Sequence, residues 1–196
     1  MKLLTFFLIF TMTFYSCDNP QKKEQGSEPL KSSINSQEVF LKMTTPLLKE
    51  SGKQYQKYKK VYARAALPGE EIITVTSDGV ETNNTAAEGD YVVKNQTDAK
   101  EVYIMSSEKF NKRYTLLQPL ENGFSEYQPI GKVIGIELTP SVLKGLNLTN
   151  EFEFVAPWGE EMVAKIGDFI VSPLEYDEVY RIAKKEFFET YELDPL

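Results

Sequence analysis

The chain has 196 residues, with 29 acidic and 22 basic side chains, a net charge of −7 and no histidine. A surface this acidic repels a phosphate backbone, so nucleic acid is not an expected partner. The missing histidine removes Ser-His-Asp and Cys-His catalysis and the common zinc sites, and a single cysteine removes any intramolecular disulfide.

Met1-Lys2 gives a short positive start, and Leu3 to Phe14 is an apolar run of signal-peptide length, too short to span a bilayer comfortably. Ser16-Cys17 closes it. Cys17, the only cysteine, stands where a bacterial lipoprotein carries its lipid, and Phe14-Tyr15-Ser16-Cys17 resembles a lipobox with bulky Phe14 and Tyr15. The alternative is an ordinary secretory leader followed by a coincidental cysteine. Residues 1–16 are expected to be a lipoprotein signal, and 17–37 the lipidated Cys17 and a flexible tether. Asp18 to Gln37 holds Asn-Pro, Gly-Ser-Glu-Pro and Ser-Ser-Ile-Asn-Ser, and a coil of this length reaches about 25 Å. Loss of Lys2 with the leader moves the net charge from −7 to −8. The expected location is the bacterial cell envelope, with the membrane as partner through the N-terminal lipid, on the periplasmic face or the cell surface.

Residues 38–59 read as a helical lead-in. A short helix is expected near 37–43 and another near 46–58, with Thr45 as N-cap and Pro46 at the first helical position. Tyr55, Tyr58 and Tyr62 fall at helical spacing and are expected to pack on the domain. From Lys60 the pattern is β. Val61 to Ala65, Ile72 to Thr76 and Val80 to Thr85 are strands, with Asp78-Gly79 as a hairpin signal. Tyr91 to Lys94 and Val102 to Met105 follow, and then a short helix over Ser106 to Arg113. Residues 118–129, with two Gln-Pro pairs and Asn122-Gly123, read as a linker. Beyond it Lys132 to Leu138 and Glu151 to Val155 are strands, separated by a short helix opened by Thr139-Pro140. Trp158-Gly159 takes the place of Asp78-Gly79. A strand over Val179 to Ile182 and a helix carrying Phe187 and Tyr191 complete the chain.

The second half repeats the first. Gly89-Asp90-Tyr91-Val92-Val93 recurs as Gly167-Asp168-Phe169-Ile170-Val171, and Glu101-Val102-Tyr103 as Glu178-Val179-Tyr180. Phe110 recurs as Phe187, and Tyr114-Thr115-Leu116 as Tyr191-Glu192-Leu193. Residues 60–117 and 130–196 are therefore expected to be two copies of one supersecondary unit. The fold class is α+β, mostly β: two similar small β units, each closed by a short helix, behind an N-terminal helical segment. Thr76-Ser77-Asp78-Gly79, Ala87-Glu88-Gly89-Asp90-Tyr91, Glu101-Val102-Tyr103 and the ending Phe187-Phe188-Glu189-Thr190-Tyr191 resemble the PGDY-type domains, small uncharacterised domains of bacteria and phages. Glu88 and Ile166 replace the Pro that names their turn. The resemblance implies a fold and no activity, so it carries over no catalytic residue.

Strand alternation places Tyr103 and Met105 on one face, matched by Tyr180 and Ile182, and this face is expected to be the buried one. Gly89-Asp90 and Gly167-Asp168 suit turns, with glycine at positive φ and the carboxylate accepting backbone N–H; paired acids or metal ligands are the alternative. Glu101 and Glu178 are expected as edge carboxylates paired with lysine. No Gly-rich phosphate loop of the expected form is present, and no catalytic residue, metal or cofactor is assigned. Trp158, Glu160, Glu161 and Asp168 form the candidate binding surface; the copies differ most at Trp158-Gly159-Glu160-Glu161 against Asp78-Gly79-Val80-Glu81, and at the extra helix over 140–146. Two functions stay open: a non-catalytic, lipid-anchored module binding a protein or glycan, and a hydrolase acting on a glycan through two carboxylates, as glycosidases do.

Overall fold

The computed structural model describes residues 30–195. Strand β1 (Lys31–Ile34) opens it, so the stretch expected as a tether already belongs to the fold from Lys31 onward; Ile34 is buried in the main core. Ser36 caps α1 (Gln37–Ser51) by accepting the Val39 N–H at 3.1 Å. Phe40, Thr44 and Leu48 recur every four residues and form its buried face. The expected break at Thr45-Pro46 is absent. Pro46 sits inside one continuous helix, where Thr44 and Thr45 donate their hydroxyls to the Phe40 and Leu41 carbonyls at 2.8 and 2.7 Å. The helix ends at Gly52, which turns extended at φ −67° and ψ 149°, and a Cβ there would lie 2.4 Å from both Leu48 O and the Ile134 side chain. Residues 53–57, expected as helix, instead form β2 (Lys53–Lys57), and Tyr55 is buried on it. Tyr55 and Tyr62 therefore lie on strands and Tyr58 on neither strand nor helix, so the three form no helical stripe.

The chain continues through β3 (Val61–Ala65), the hairpin β4 (Glu71–Thr76) and β5 (Gly79–Thr85), β6 (Tyr91–Asn95), β7 (Val102–Met105), α2 (Ser107–Arg113) and β8 (Tyr114–Pro119). The expected linker folds as the end of β8, a short 3-10 turn and β9 (Ser125–Pro129). The second unit follows with β10 (Lys132–Glu137), α3 (Pro140–Gly145), β11 (Leu148–Val155), β12 (Glu161–Lys165) and β13 (Phe169–Pro173). It closes with β14 (Tyr180–Ile182), α4 (Lys184–Thr190) and β15 (Tyr191–Leu193). Thr139 caps α3 as expected, accepting the Val142 N–H at 3.3 Å.

Two five-stranded sheets organise these elements. Sheet 1 runs β7-β6-β3-β9-β8 and sheet 2 runs β14-β13-β10-β2-β15. Strand for strand the orders correspond, with one exchange: β2 precedes the first unit in sequence but pairs with β10 and β15 of the second, while β9 precedes the second unit but pairs with β3 and β8 of the first. The inner aromatics correspond too. Phe110 stacks on Tyr91 at 4.1 Å and on Tyr114 at 5.0 Å, with Tyr127 of β9 edge-on at 4.8 Å. Phe187 stacks on Phe169 at 3.8 Å and on Tyr191 at 5.2 Å, with Tyr55 of β2 edge-on at 4.8 Å. Each buried ring contributes about 2–3 kcal/mol, and the rings are what tie each exchanged strand to its host sheet.

The outer faces differ. Over sheet 2 lie α1, α3 and a three-stranded sheet ordered β1-β11-β12, enclosing the largest core, which includes Phe40, Leu48, Leu143, Phe152, Phe154 and Ile170. Over one end of sheet 1 lies only the β4–β5 hairpin, where Ile72 packs with Val92, Val102 and Ile104. Both faces of β7 are therefore covered, as Tyr103 and Met105 pack inward and Val102 and Ile104 lie under the hairpin. In the second unit Val179 is fully buried as well. The Tyr face is thus one of two buried faces, a correction to the expectation from strand alternation.

Candidate functional site

The tip of the β4–β5 hairpin reaches across to the second unit, and its charges converge on Arg181. Arg181 stands on β14 where Ile104 stands on β7. Its Nε donates to Asp168 Oδ2 at 2.8 Å and one terminal nitrogen to Glu81 Oε1 at 2.7 Å; the other pairs with Asp78. Lys165 Nζ holds the second Asp78 oxygen at 2.8 Å. Asp168 and Arg181 are buried, so a single guanidinium joins a turn of the second unit to a hairpin of the first. Burial opposes the charged guanidinium, yet Asp168, Glu81 and Asp78 together hold its pKa above the ordinary arginine value. Burial also pushes the Glu81 carboxyl up; Arg181 offsets part of this, and the nearby Glu101 and Glu186 add to it.

A second contrast lies at the helices. Glu178 accepts from Lys109 and Arg113 of α2, and these cations outweigh burial and hold its carboxyl below the ordinary range. At the corresponding place in the other half, Glu101 is bound by Asn95 at 2.8 Å and by Thr97. There Lys109 and Arg113 are replaced by Glu186 and Thr190. Glu186 accepts the Ser77 N–H at 2.8 Å with one oxygen, while its other oxygen is buried and has no hydrogen-bond partner among the described residues. Lysine pairing therefore holds for Glu178 and not for Glu101. Near this seam Lys57 Nζ donates to Asn95 at 2.9 Å and to the Tyr114 hydroxyl at 3.0 Å. Burial raises Tyr114, but Lys57 outweighs it and leaves the phenol below its ordinary pKa; burial and Tyr114 drive Tyr103 up.

The sequence-derived surface residues do not form one site. Trp158 and Glu160 share the β11–β12 turn, where Gly159 has φ 93° and the Ala156 N–H donates to Glu160 O at 2.7 Å. Trp158 is half exposed, and the neighbouring Glu160 carboxyl is pushed up chiefly by burial, which the Trp158 side chain partly offsets. Glu161 is exposed at the start of β12. Asp168 lies beyond the other end of that strand, buried at 1% exposure, and accepts the Lys165 N–H at 2.9 Å in the turn that Gly167 opens with φ 92°. It leaves the surface set, because it is buried and its Oδ2 serves both the turn and Arg181. From Glu161 to Lys165 strand β12 advances about 13 Å, which sets Glu160 and Asp168 at opposite ends and beyond the roughly 5–9 Å separation of a glycosidase acid pair. Among the described residues no cluster of His, Cys, Asp or Glu can hold a metal ion, and no helix is long and apolar enough to cross a membrane. Cys17 lies outside the described residues.

The outer face of sheet 1 carries a shallow groove of about 470 Å³, lined by Tyr62, Lys94, Leu120, Glu121, Asn122 and Phe124. Tyr62 and Lys94 are a cross-strand pair of β3 and β6, and the turn between β8 and β9 supplies the rest. Arg64, held by Glu70, lies over the Phe124 ring at 5.4 Å. The equivalent cross-strand pair in sheet 2 is Ile134–Ser172. Ser172 is fully buried and Ile134 packs on the main core. Sequence reasoning missed this groove because its rim comes from the segment that resembled a linker. It missed the Arg181 site although the mismatch of Ile104 and Arg181 was a usable signal. No protein-family model matches the chain, and no curated protein or solved structure matches it.

Proposed function

We propose that the protein is a lipid-anchored, non-catalytic binding module of the bacterial cell envelope, built from an internal duplication that resembles the PGDY-type domains. The observation that supports binding is the contrast between two equivalent sheet faces. One is sealed by α1 and its core, while the other is left open as a groove with two aromatic rings and Lys94. A face left open on a scaffold that knows how to close it is a place for a partner. Of the carboxylates that the hydrolase reading would use, Asp168 is instead engaged by the buried Arg181. The anchor rests on Cys17, placed directly after the apolar run.

The test has two arms. Intact-mass spectrometry of the full chain from native membranes is expected to find Cys17 at the N-terminus with an attached lipid; an unmodified Cys17 contradicts the anchor. Capture of envelope components by the full chain is expected to fall with Tyr62→Ala and to survive Glu160→Gln with Glu161→Gln. Turnover of an envelope polymer that the double variant abolishes would instead establish the hydrolase.

A further inference from the structure

We propose that the groove on the outer face of sheet 1 binds an oligosaccharide, with Tyr62 and Phe124 as platforms for sugar rings and Lys94 and Asn122 as donors to their hydroxyl or carboxylate rim. This inference rests on the binding-module reading and names its ligand.

The position of the groove decides first against strand addition by a peptide. Tyr62 sits on β3, whose backbone is already paired on both sides, with β6 and with β9. Lys94 sits on β6, between β3 and β7. No free main-chain edge borders these residues, so an extended peptide cannot add itself as a strand there. Recognition must come from side chains above the sheet.

The chemistry of those side chains fits a sugar. A pyranose ring has an apolar C–H face and a polar rim. The groove sets two aromatic rings and Leu120 beside one ammonium, one amide and one carboxylate. Lys60 and Arg64 are engaged by Glu126 and Glu70, whereas Lys94 pairs with no carboxylate among the described residues. Lys94 is therefore the cation left for a ligand.

The rim is also formed in advance. The Leu120 N–H donates to Phe124 O at 2.8 Å and closes the turn, and Asn122 takes φ 60°, which turns the chain over the sheet. A register shift in β8 between Leu116 and Gln118 displaces the strand just before this turn. Arg64, fixed by Glu70, backs the Phe124 ring. Preformed walls lower the ordering cost of a weak ligand. The net charge of −7 and the presence of Glu121 disfavour a polyanion, so one acidic unit among neutral ones suits the groove better than a fully charged polymer.

The experiment presents the full chain to an array of neutral, amino and uronic-acid oligosaccharides, followed by calorimetry on the best binder. Tyr62→Ala and Phe124→Ala are expected to weaken binding about tenfold each, and Tyr62→Phe to change it little. Lys94→Ala is expected to remove any preference for acid-bearing sugars and to leave neutral ones within about twofold. Thermal unfolding of each variant shows that the fold is intact. Absence of any binder on the array, or binding that ignores Tyr62 and Phe124, overturns the sugar proposal. If envelope capture then persists and depends on Tyr62 but is destroyed by protease, the ligand is a protein and only the sugar assignment falls. If the full chain captures nothing from envelope, the binding-module reading falls with it.

Discussion

The outer faces of the two sheets make the sharpest comparison within this molecule. Beneath both lies the same arrangement: a closing helix, a stacked aromatic trio and an interior strand, next to the sheet edge, borrowed from the other unit. Above them the faces part. Ile134, Ile136 and Ile170 draw α1 onto sheet 2, while Tyr62, Arg64 and Lys94 leave sheet 1 open over its middle. The difference separates scaffold from site. What recurs holds the chain together, and what does not recur is where a partner can be met.

The largest effects should come from breaking the sealed side. Phe40→Ala empties the centre of the α1 core and is expected to cost about 3–5 kcal/mol in urea unfolding. Tyr62→Ala, on the open face, should stay within about 0.5 kcal/mol. Equal losses at the two positions would mean that the open face is structural after all. Arg181→Ala should also cost about 3–5 kcal/mol, because it leaves Asp168 and Glu81 without their shared cation. A loss under about 1 kcal/mol would show that the hairpin is not held by this residue. Gly52→Ala presses a methyl against Ile134 and the Leu48 carbonyl and is expected to cost about 1–3 kcal/mol.

Acid titration sharpens the comparison at smaller amplitude. Burial works against both Asp78 and Glu178, but Lys165 and Arg181 on the first, and Lys109 and Arg113 on the second, hold them below their ordinary values of 3.8 and 4.5. Their contribution is present above those values and is lost as pH falls through the lowered ones, so stability should drop below about pH 4. Glu81 has the opposite sign. Burial raises it above 4.5, so its proton favours the folded state at acid pH, and that contribution disappears as pH rises through the raised value. Glu81→Gln keeps an acceptor for Arg181 and should raise stability at pH 7 by up to about 1 kcal/mol, with no gain at pH 4. A destabilised variant at pH 7 would mean that the ion pair outweighs the cost of burial.

Local pattern made much of this legible. Alternation located β3, β4, β6 and β7; Asp78-Gly79 marked a hairpin, Thr139-Pro140 a helix start, and Gly-Asp two turns whose carboxylates accept the Ala87 and Lys165 N–H groups. The exchange of β2 and β9 was not legible. Lys53 to Lys57 is rich in Gln and Lys and carries one inward Tyr, so it reads as the end of a helix, and 118–129 reads as a linker because its partners lie far away in sequence. Ile34 looked like part of a polar tether until β11 was placed beside it. Asp168 looked like surface because nothing local announces a guanidinium arriving from residue 181. In each case a non-local contact overruled a local preference.

The most direct test is hydroxyl-radical footprinting of the full chain with and without native envelope fragments, read at three rings. The groove account predicts protection of Tyr62 and Phe124, with Trp158 at the β11–β12 turn unchanged. Protection of Trp158 with Tyr62 and Phe124 unaltered would place the binding surface on the second hairpin and contradict the account.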